Sequence, residues 1–187
     1  MPNFLSVLIL LLGLAVAPAQ AGLSEDLQDG SHVLLMRHAD APGVGDPPGY
    51  KLQECSTQRN LGERGRKQSV AIGQWLQSQG ITAAKVLSSA WCRCLDTARL
   101  INKGEVTVET SLGSFFDDMS LAAEQTKQMQ KMIATQLSQH KATPIILVTH
   151  HVNIEAYTGK VVNVGDMVLV RVGPDGRYLS HQVYPSP

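Results

Sequence analysis

The sequence has little that would indicate a nucleic-acid binder, a membrane-spanning protein or a metal centre. Its 16 basic and 16 acidic side chains cancel, whereas a protein that binds nucleic acid usually carries a basic excess. The apolar run at residues 4–16 is too short to cross a bilayer comfortably. Only three cysteines occur, and two of them form a C-x-C pair that matches neither a zinc motif nor a thioredoxin-like one. A nucleic-acid partner is therefore not expected.

The N-terminal apolar run has the properties of a signal peptide. Residues 4–16 have the length of an h-region, and Ala19-Gln20-Ala21 has the small-x-small pattern that precedes signal-peptidase cleavage. We therefore predict a signal peptide at residues 1–21 and a periplasmic or secreted mature chain, residues 22–187, without stable membrane association. No lysine or arginine precedes the run, so an uncleaved anchor is the alternative.

The three cysteines all lie in the predicted mature chain. In an oxidising compartment one pair is expected to form a disulfide and one thiol to be left over. Cys55 is expected to pair with Cys92 or with Cys94, and the spacing does not choose between them. Three free thiols are the alternative.

Strand and helix patterns alternate along the mature chain, with no internal repeat and no linker. The predicted strands are residues 33–36, 85–89, 106–108, 145–149, 167–172 and 178–184, and the predicted helices are residues 63–79, 90–102 and 121–140. A methionine stripe on the last helix is interpreted as core filling. Such alternation predicts one domain, a three-layer α/β/α sandwich whose mostly parallel sheet ends in an antiparallel edge hairpin.

Charged and polar residues follow three of the predicted strands directly. Arg37 and His38 follow the first, the second ends in two serines with Arg93 shortly after them, and His150 follows the late strand. The carboxyl ends of parallel strands share one edge of a sheet, where open α/β folds place their ligands. Two arginines, two histidines and a helix amino terminus at one spot suit a compact dianion such as phosphate.

A histidine beside such a cluster can also act as a nucleophile. A neutral imidazole can attack phosphorus in line while arginines stabilise the charge of the transition state. Nearby guanidinium charge lowers the pKa of an imidazole and keeps it unprotonated. A phosphohistidine intermediate on His38 is the resulting hypothesis.

Four separated strings resemble the histidine phosphatase superfamily, also called phosphoglycerate mutase-like, in the order that the family has them: LLMRHAD, TQRNLGERGR, LSSAWCRCLDTA and VTHHVNI. The likeness is greatest to small, one-domain bacterial members, including exported ones. The resemblance implies that His38 becomes phosphorylated, that Arg37, Arg59 and Arg93 bind the phosphoryl group, and that His150 completes the catalytic pocket.

Some assignments stay open after this comparison of motifs. Asn60 and Arg64 compete with Arg59 for its position. The family usually supplies an acid that protonates the leaving group, and here Asp118 is preferred and Asp117 is second. At least one of the two aspartates is expected only to cap the helix that follows. The acid of the larger phosphoglycerate mutases is a glutamate in a longer motif, so this chain departs from them.

Two functions remain after the sequence alone. The first is a metal-independent phosphatase that hydrolyses a phosphomonoester or phosphohistidine and needs no cofactor. The second is a catalytically weak or inactive module that binds a phosphorylated ligand in the same pocket. A metal site at His38, Asp40, His150 and His151 is disfavoured because the arginines would repel a dication, and His151 is expected to point away from its predecessor. The pocket loops are short and carry few charges, which indicates a small phosphorylated substrate.

Overall fold

The structure is a computed structural model that describes residues 22–187. The predicted signal peptide, residues 1–21, lies outside the described residues, so its cleavage and the export of the chain stay predictions. No helix within residues 22–187 is long and apolar enough to cross a membrane.

Strands and helices alternate from β1 to α5, and the chain then closes with a hairpin. The strands are β1 (His32–Arg37), β2 (Lys85–Ser88), β3 (Val106–Val108), β4 (Ile145–Thr149), β5 (Met167–Val172) and β6 (Tyr178–Tyr184). The helices are α1 (Leu23–Asp26), α2 (Glu63–Ser78), α3 (Cys92–Ile101), α4 (Ala122–Gln139) and α5 (His151–Thr158).

The strands form one sheet in the order β3-β2-β4-β1-β5-β6. The first four strands of this order pair in parallel, whereas β5 runs antiparallel to β1 and β6 runs antiparallel to β5. Helices cover both faces of the sheet. The predicted α/β/α sandwich with an antiparallel edge hairpin is thereby confirmed.

Strand β1 lies inside the sheet and separates two hydrophobic cores. Its side chains alternate between the faces, because successive residues of a strand point in opposite directions. Leu34 and Met36 pack with α1, α2 and α3, whereas Val33 and Leu35 pack with α4 and α5. The strand is buried on both faces, which explains its uninterrupted apolar run.

The predicted helices agree with the structure to within two residues at each end. The methionine stripe of α4 does fill the core, since Met129 is fully buried beside Ile133. Helices α1 and α5 were not predicted. Because α5 begins at His151, the expectation of an extended chain there was wrong.

A disulfide joins Cys55 to Cys92, with a Cα–Cα distance of 5.6 Å. Cys55 lies in a short 3₁₀ helix after β1, and Cys92 is the first residue of α3. Cys94 is a free, buried thiol. The Gln58 side chain makes a second link between the same segments, because its Oε1 accepts a hydrogen bond of 2.9 Å from the Cys92 N–H. Together they hold the segment that follows β1 against α3.

Replacing Cys55 by serine is expected to lower the free energy of unfolding by about 3–4 kcal/mol, because a crosslink closing a loop of this length restricts the unfolded chain. Urea denaturation measures the change. Ser56→Ala, beside it on the same exposed turn, is the control and should shift the value by less than about 0.5 kcal/mol. Equal stability of Cys55→Ser and the control would contradict the crosslink, as would an unchanged wild type under reducing conditions.

Candidate active site

His38 follows β1 directly, and its backbone is held from both sides. Its N–H donates to the Thr149 carbonyl at 3.0 Å, and its carbonyl accepts from the Gly165 N–H at 3.1 Å. Strands β1 and β4 pair so that Arg37 lies opposite Thr149. The next residues of the two strands, His38 and His150, therefore lie side by side, with ring centroids 5.5 Å apart.

The segment after His38 is fixed between two helices. The Ala39 N–H donates to Thr97 Oγ1 on α3 at 3.0 Å, and the Asp40 carbonyl accepts from the Gly62 N–H before α2 at 3.2 Å. A side chain at Gly65 would overlap the Asp40 carbonyl oxygen, so this helix can approach only because the residue is glycine. The direction in which His38 leaves the strand is set by this packing.

The His38 ring is buried and is held in one neutral tautomer. Its Nδ1 lies 2.8 Å from the Ala39 carbonyl. Because a carbonyl oxygen only accepts, Nδ1 carries the proton and Nε2 keeps its lone pair. Burial lowers the pKa of His38 to about 3. The positive charges of Arg93, Arg59 and Arg37 also lower this pKa, whereas the hydrogen bond to Ala39 raises it. His38 is therefore an unprotonated base or nucleophile at neutral pH.

His150 is buried beside His38 and is also neutral. Its Nε2 lies 2.8 Å from Ser89 Oγ, and its Nδ1 lies 3.5 Å from an Nη2 of Arg93. Because a guanidinium only donates, Nδ1 accepts and Nε2–H donates to the serine. Burial lowers the pKa of His150 well below its usual value, and the neighbouring His38 and Arg93 add to the effect. His150 thus orients Arg93.

Arg93 is buried at the amino end of α3 and pairs with Asp46. Its Nη1 lies 2.9 and 3.0 Å from the two carboxylate oxygens. The same carboxylate accepts from the Trp91 indole N–H at 3.1 Å and from the Arg59 backbone N–H at 2.8 Å. Asp46 therefore ties the loop at residues 41–50 to the helix that carries Arg93.

The other two guanidinium groups bond to backbone carbonyls. Arg37 donates from Nη1 to the Val162 carbonyl at 2.8 Å, and Arg59 donates from Nε to Gly45 at 2.8 Å and from Nη1 to Ala41. Burial lowers the pKa of both groups, and the positive charge of Arg93 adds to it. Three guanidinium charges thus lie together beside the paired carboxylate of Asp46, so the cluster attracts an anion.

A cleft of about 280 Å³ opens over these groups. Its walls carry, among others, Arg37, His38, Arg59, Arg93, His150 and His151. In the described part of the chain, the Nε atoms of Arg37 and Arg93 are buried and have no hydrogen-bond partner. Buried donors without partners are rare. The arrangement can hold a compact oxyanion against Nε2 of His38.

The two candidate acids lie in different surroundings. Asp117 lines the cleft, and its Oδ2 accepts a hydrogen bond of 3.4 Å from the Tyr50 hydroxyl. Asp118 lies outside the cleft walls and caps the short 3₁₀ helix at Met119–Leu121 through Ser120. The structure therefore brings Asp117 to the cleft and not the preferred Asp118.

Sequence reasoning missed two residues of the site. Asp46 is the only charged residue in the loop at residues 41–50, and that isolation was the available signal. His151 also lines the cleft, although it was expected to point away. The competitors of Arg59 lie elsewhere: Asn60 bonds to nearby backbone carbonyls, and Arg64 is exposed on α2.

Metal-binding side chains come together at a different place. Within residues 22–187, ligand atoms of Asp26, Asp29 and His32 lie close enough to share an ion. His32 Nδ1 already contacts Asp29 at 2.8 Å. This group is on the surface near α1, away from the cleft walls.

Two sequence comparisons with known proteins match parts of this chain. The model of the histidine phosphatase superfamily (branch 1) matches residues 33–121, slightly less than half of the chain. The mitochondrial serine/threonine-protein phosphatase Pgam5 of Drosophila ananassae is 38% identical over 72 residues. That alignment covers 38% of this chain and 22% of the fly protein, so the chain spans about a fifth of the length of this relative.

Solved structures share the fold at low sequence identity. A mycobacterial glucosyl-3-phosphoglycerate phosphatase superimposes with a TM-score of 0.60 at 15% identity, over 82% of this chain and 96% of that one. A phosphoserine phosphatase from Entamoeba histolytica, bound to 3-phosphoglyceric acid, gives 0.58 at 13% identity, over 79% and 93%. The protein histidine phosphatase SixA, bound to tungstate, gives 0.52 at 16% identity, over 80% and 95%. The described chain therefore has the histidine phosphatase fold, and its residues 33–121 carry the sequence pattern of that superfamily's branch 1.

Proposed function

We propose that this protein is a member of the histidine phosphatase superfamily and hydrolyses phosphomonoesters through a phosphohistidine on His38. The observation that carries the proposal is the neutral ring of His38, with Nδ1 bonded to a carbonyl and Nε2 left free beside three arginines. A nucleophile needs that lone pair, and the phosphoryl group needs the positive charge.

Five residues of the cleft have a part in the proposed reaction. Arg37, Arg59 and Arg93 bind the equatorial oxygens and supply the positive charge, so the mechanism uses no metal. Nε2 of His38 attacks phosphorus, the P–O bond to the alcohol breaks, and the leaving oxygen takes a proton from Asp117. Water then attacks the phosphohistidine, returns a proton to Asp117 and releases phosphate.

His38→Ala is expected to lower kcat/KM for an activated aryl phosphate roughly a thousandfold or more, because the variant lacks the nitrogen that carries the phosphoryl intermediate. His181→Ala, at an exposed position of β6, is the matched control and should keep full activity. Alkaline quenching during turnover should yield a base-stable phosphoprotein from wild type and none from His38→Ala. A wild type as inert as His38→Ala, but still binding phosphate, would favour the binding module instead.

The proposed nucleophile should stay neutral in acid. Because the pKa of His38 is lowered to about 3, its ring nitrogens should keep the Nδ1-protonated, neutral pattern in ¹H–¹⁵N spectra from pH 8 down to about 5. The unfolded chain takes up this proton below about pH 6.5, so the free energy of unfolding should fall as pH is lowered from there towards 3. Titration of the His38 signals near pH 6.5 would contradict the proposed state.

Asp117→Asn is expected to lower kcat/KM about a hundredfold for benzyl phosphate and only slightly for p-nitrophenyl phosphate. An alkoxide must be protonated as it leaves, whereas nitrophenolate needs no acid. Asp118→Asn is the matched control, because its side chain caps Ser120 outside the cleft. If both variants change the ratio of the two substrates equally, or if Asp118→Asn alone changes it, Asp117 is not the acid.

A further inference from the structure

The outer part of the cleft differs in character from the arginine cluster below it. We use the term mouth for the part of the cleft that lies outside the groups that would hold phosphate. It is lined by the side chains of Val44, Ser114, Phe116, Asp117 and His151. They come from the loop at residues 41–50, from the segment before α4 and from the start of α5. A substrate held by its phosphate presents its alcohol portion to this mouth.

The mouth is apolar and flat on one side. Val44 is 89% exposed and Phe116 is 41% exposed, so both leave apolar surface open beside the polar site. The Phe116 ring lies 5.7 Å from the His151 ring, between centroids, and a Cβ added at Gly45 would meet its Cε1 at 4.0 Å. The ring is thereby held in place with part of its surface open to solvent, which suits contact with another ring.

The mouth has one acidic side chain and, among the described residues, no lysine or arginine. The arginines of the cleft walls are Arg37, Arg59 and Arg93, all within the phosphate cluster, and no lysine of residues 22–187 lines the cleft. Burial and the neighbouring Arg37 lower the pKa of His151, so its ring is neutral near pH 7. Asp117 is the one carboxylate of the mouth.

We propose that the cleft selects phosphomonoesters of uncharged alcohols with an apolar, preferably aromatic, face, and selects against phosphorylated carboxylic acids. The inference rests on the proposed function and adds the substrate class. A carboxylate a few bonds from the phosphate would lie beside Asp117 without a counter-ion, and a partly buried, unpaired charge is costly. A benzyl or phenyl group in the same place would cover Phe116 and Val44.

This preference would separate the chain from proteins of the same fold. The phosphoserine phosphatase of Entamoeba histolytica has been solved with 3-phosphoglyceric acid, a phosphorylated carboxylic acid. The shared fold therefore does not by itself predict which alcohol portion is accepted, because the mouth is built from loops and not from the sheet.

Three esters with alcohol leaving groups test the inference: benzyl phosphate, ethyl phosphate and 3-phosphoglycerate. Since each leaving oxygen is an alkoxide, their demand for the acid is similar, and differences in kcat/KM report the mouth. We expect benzyl phosphate to exceed ethyl phosphate about tenfold and 3-phosphoglycerate about a hundredfold, differences of the size that one favourable contact and one unpaired charge produce. Phe116→Ala should remove the advantage of benzyl over ethyl phosphate, measured as the ratio of the two kcat/KM values.

Val44→Lys should change the substrate preference of the mouth towards a phosphorylated carboxylic acid. The position is 89% exposed, so the variant should fold, and the new cation should raise kcat/KM for 3-phosphoglycerate about tenfold without improving ethyl phosphate. Val108→Lys, at a 52% exposed position of β3 outside the cleft walls, is the matched control and should leave all three values unchanged.

The outcomes separate this inference from the proposed function. Equal or better hydrolysis of 3-phosphoglycerate by wild type overturns the substrate class and leaves the phosphatase standing. If wild type hydrolyses none of the esters, the proposed function fails, and calorimetric dissociation constants of the same esters still decide the inference. Tighter binding of benzyl phosphate than of 3-phosphoglycerate supports it, and the reverse order overturns it.

Discussion

The site depends on the parallel pairing of β1 with β4. Arg37 lies opposite Thr149 in this register, so the residues that follow, His38 and His150, meet with their rings 5.5 Å apart. Both strands are buried on both faces, and a slip by one residue would turn every apolar side chain to the other face. The cores on the two sides of the sheet therefore fix the distance between the histidines.

Around this pair the protein holds more positive than negative charge. Arg93 has Asp46 as its partner, whereas the hydrogen bonds of the Arg37 and Arg59 side chains to other described residues all go to backbone carbonyls. Removing charged groups from water is costly unless other charges compensate them. Such a cluster is best balanced when an anion is bound. The same charges, together with burial, keep His38 unprotonated, so one arrangement provides both phosphate affinity and a nucleophile.

Much of the fold could be predicted because its elements have simple periodic patterns. Buried strands such as β4 are apolar runs, and α4 has a stripe that ends in buried Leu137. Helix α5 was not predicted because it has no single apolar face. Its buried residues include Val152, Asn153, Ile154 and Tyr157. Nothing in the local sequence indicated that its polar first residue, His151, lines the cleft. The family resemblance named residues that the structure brings into the cleft, and three of them, His38, Arg93 and His150, are almost fully buried.

The sequence by itself determined which strands end in charged residues, and hence that histidines and arginines meet at one edge of the sheet. Only the tertiary structure decided which of two residues close together in the sequence takes part in a given contact. Cys92 and Cys94, two positions apart, lie on opposite sides of α3, and packing turns Cys92 towards Cys55 and Cys94 towards His150. Likewise, Asp117 lines the cleft, whereas Asp118 caps Ser120 outside it. Local sequence carries strand and helix periods, but which side of a turn faces the cleft depends on contacts with distant segments of the chain.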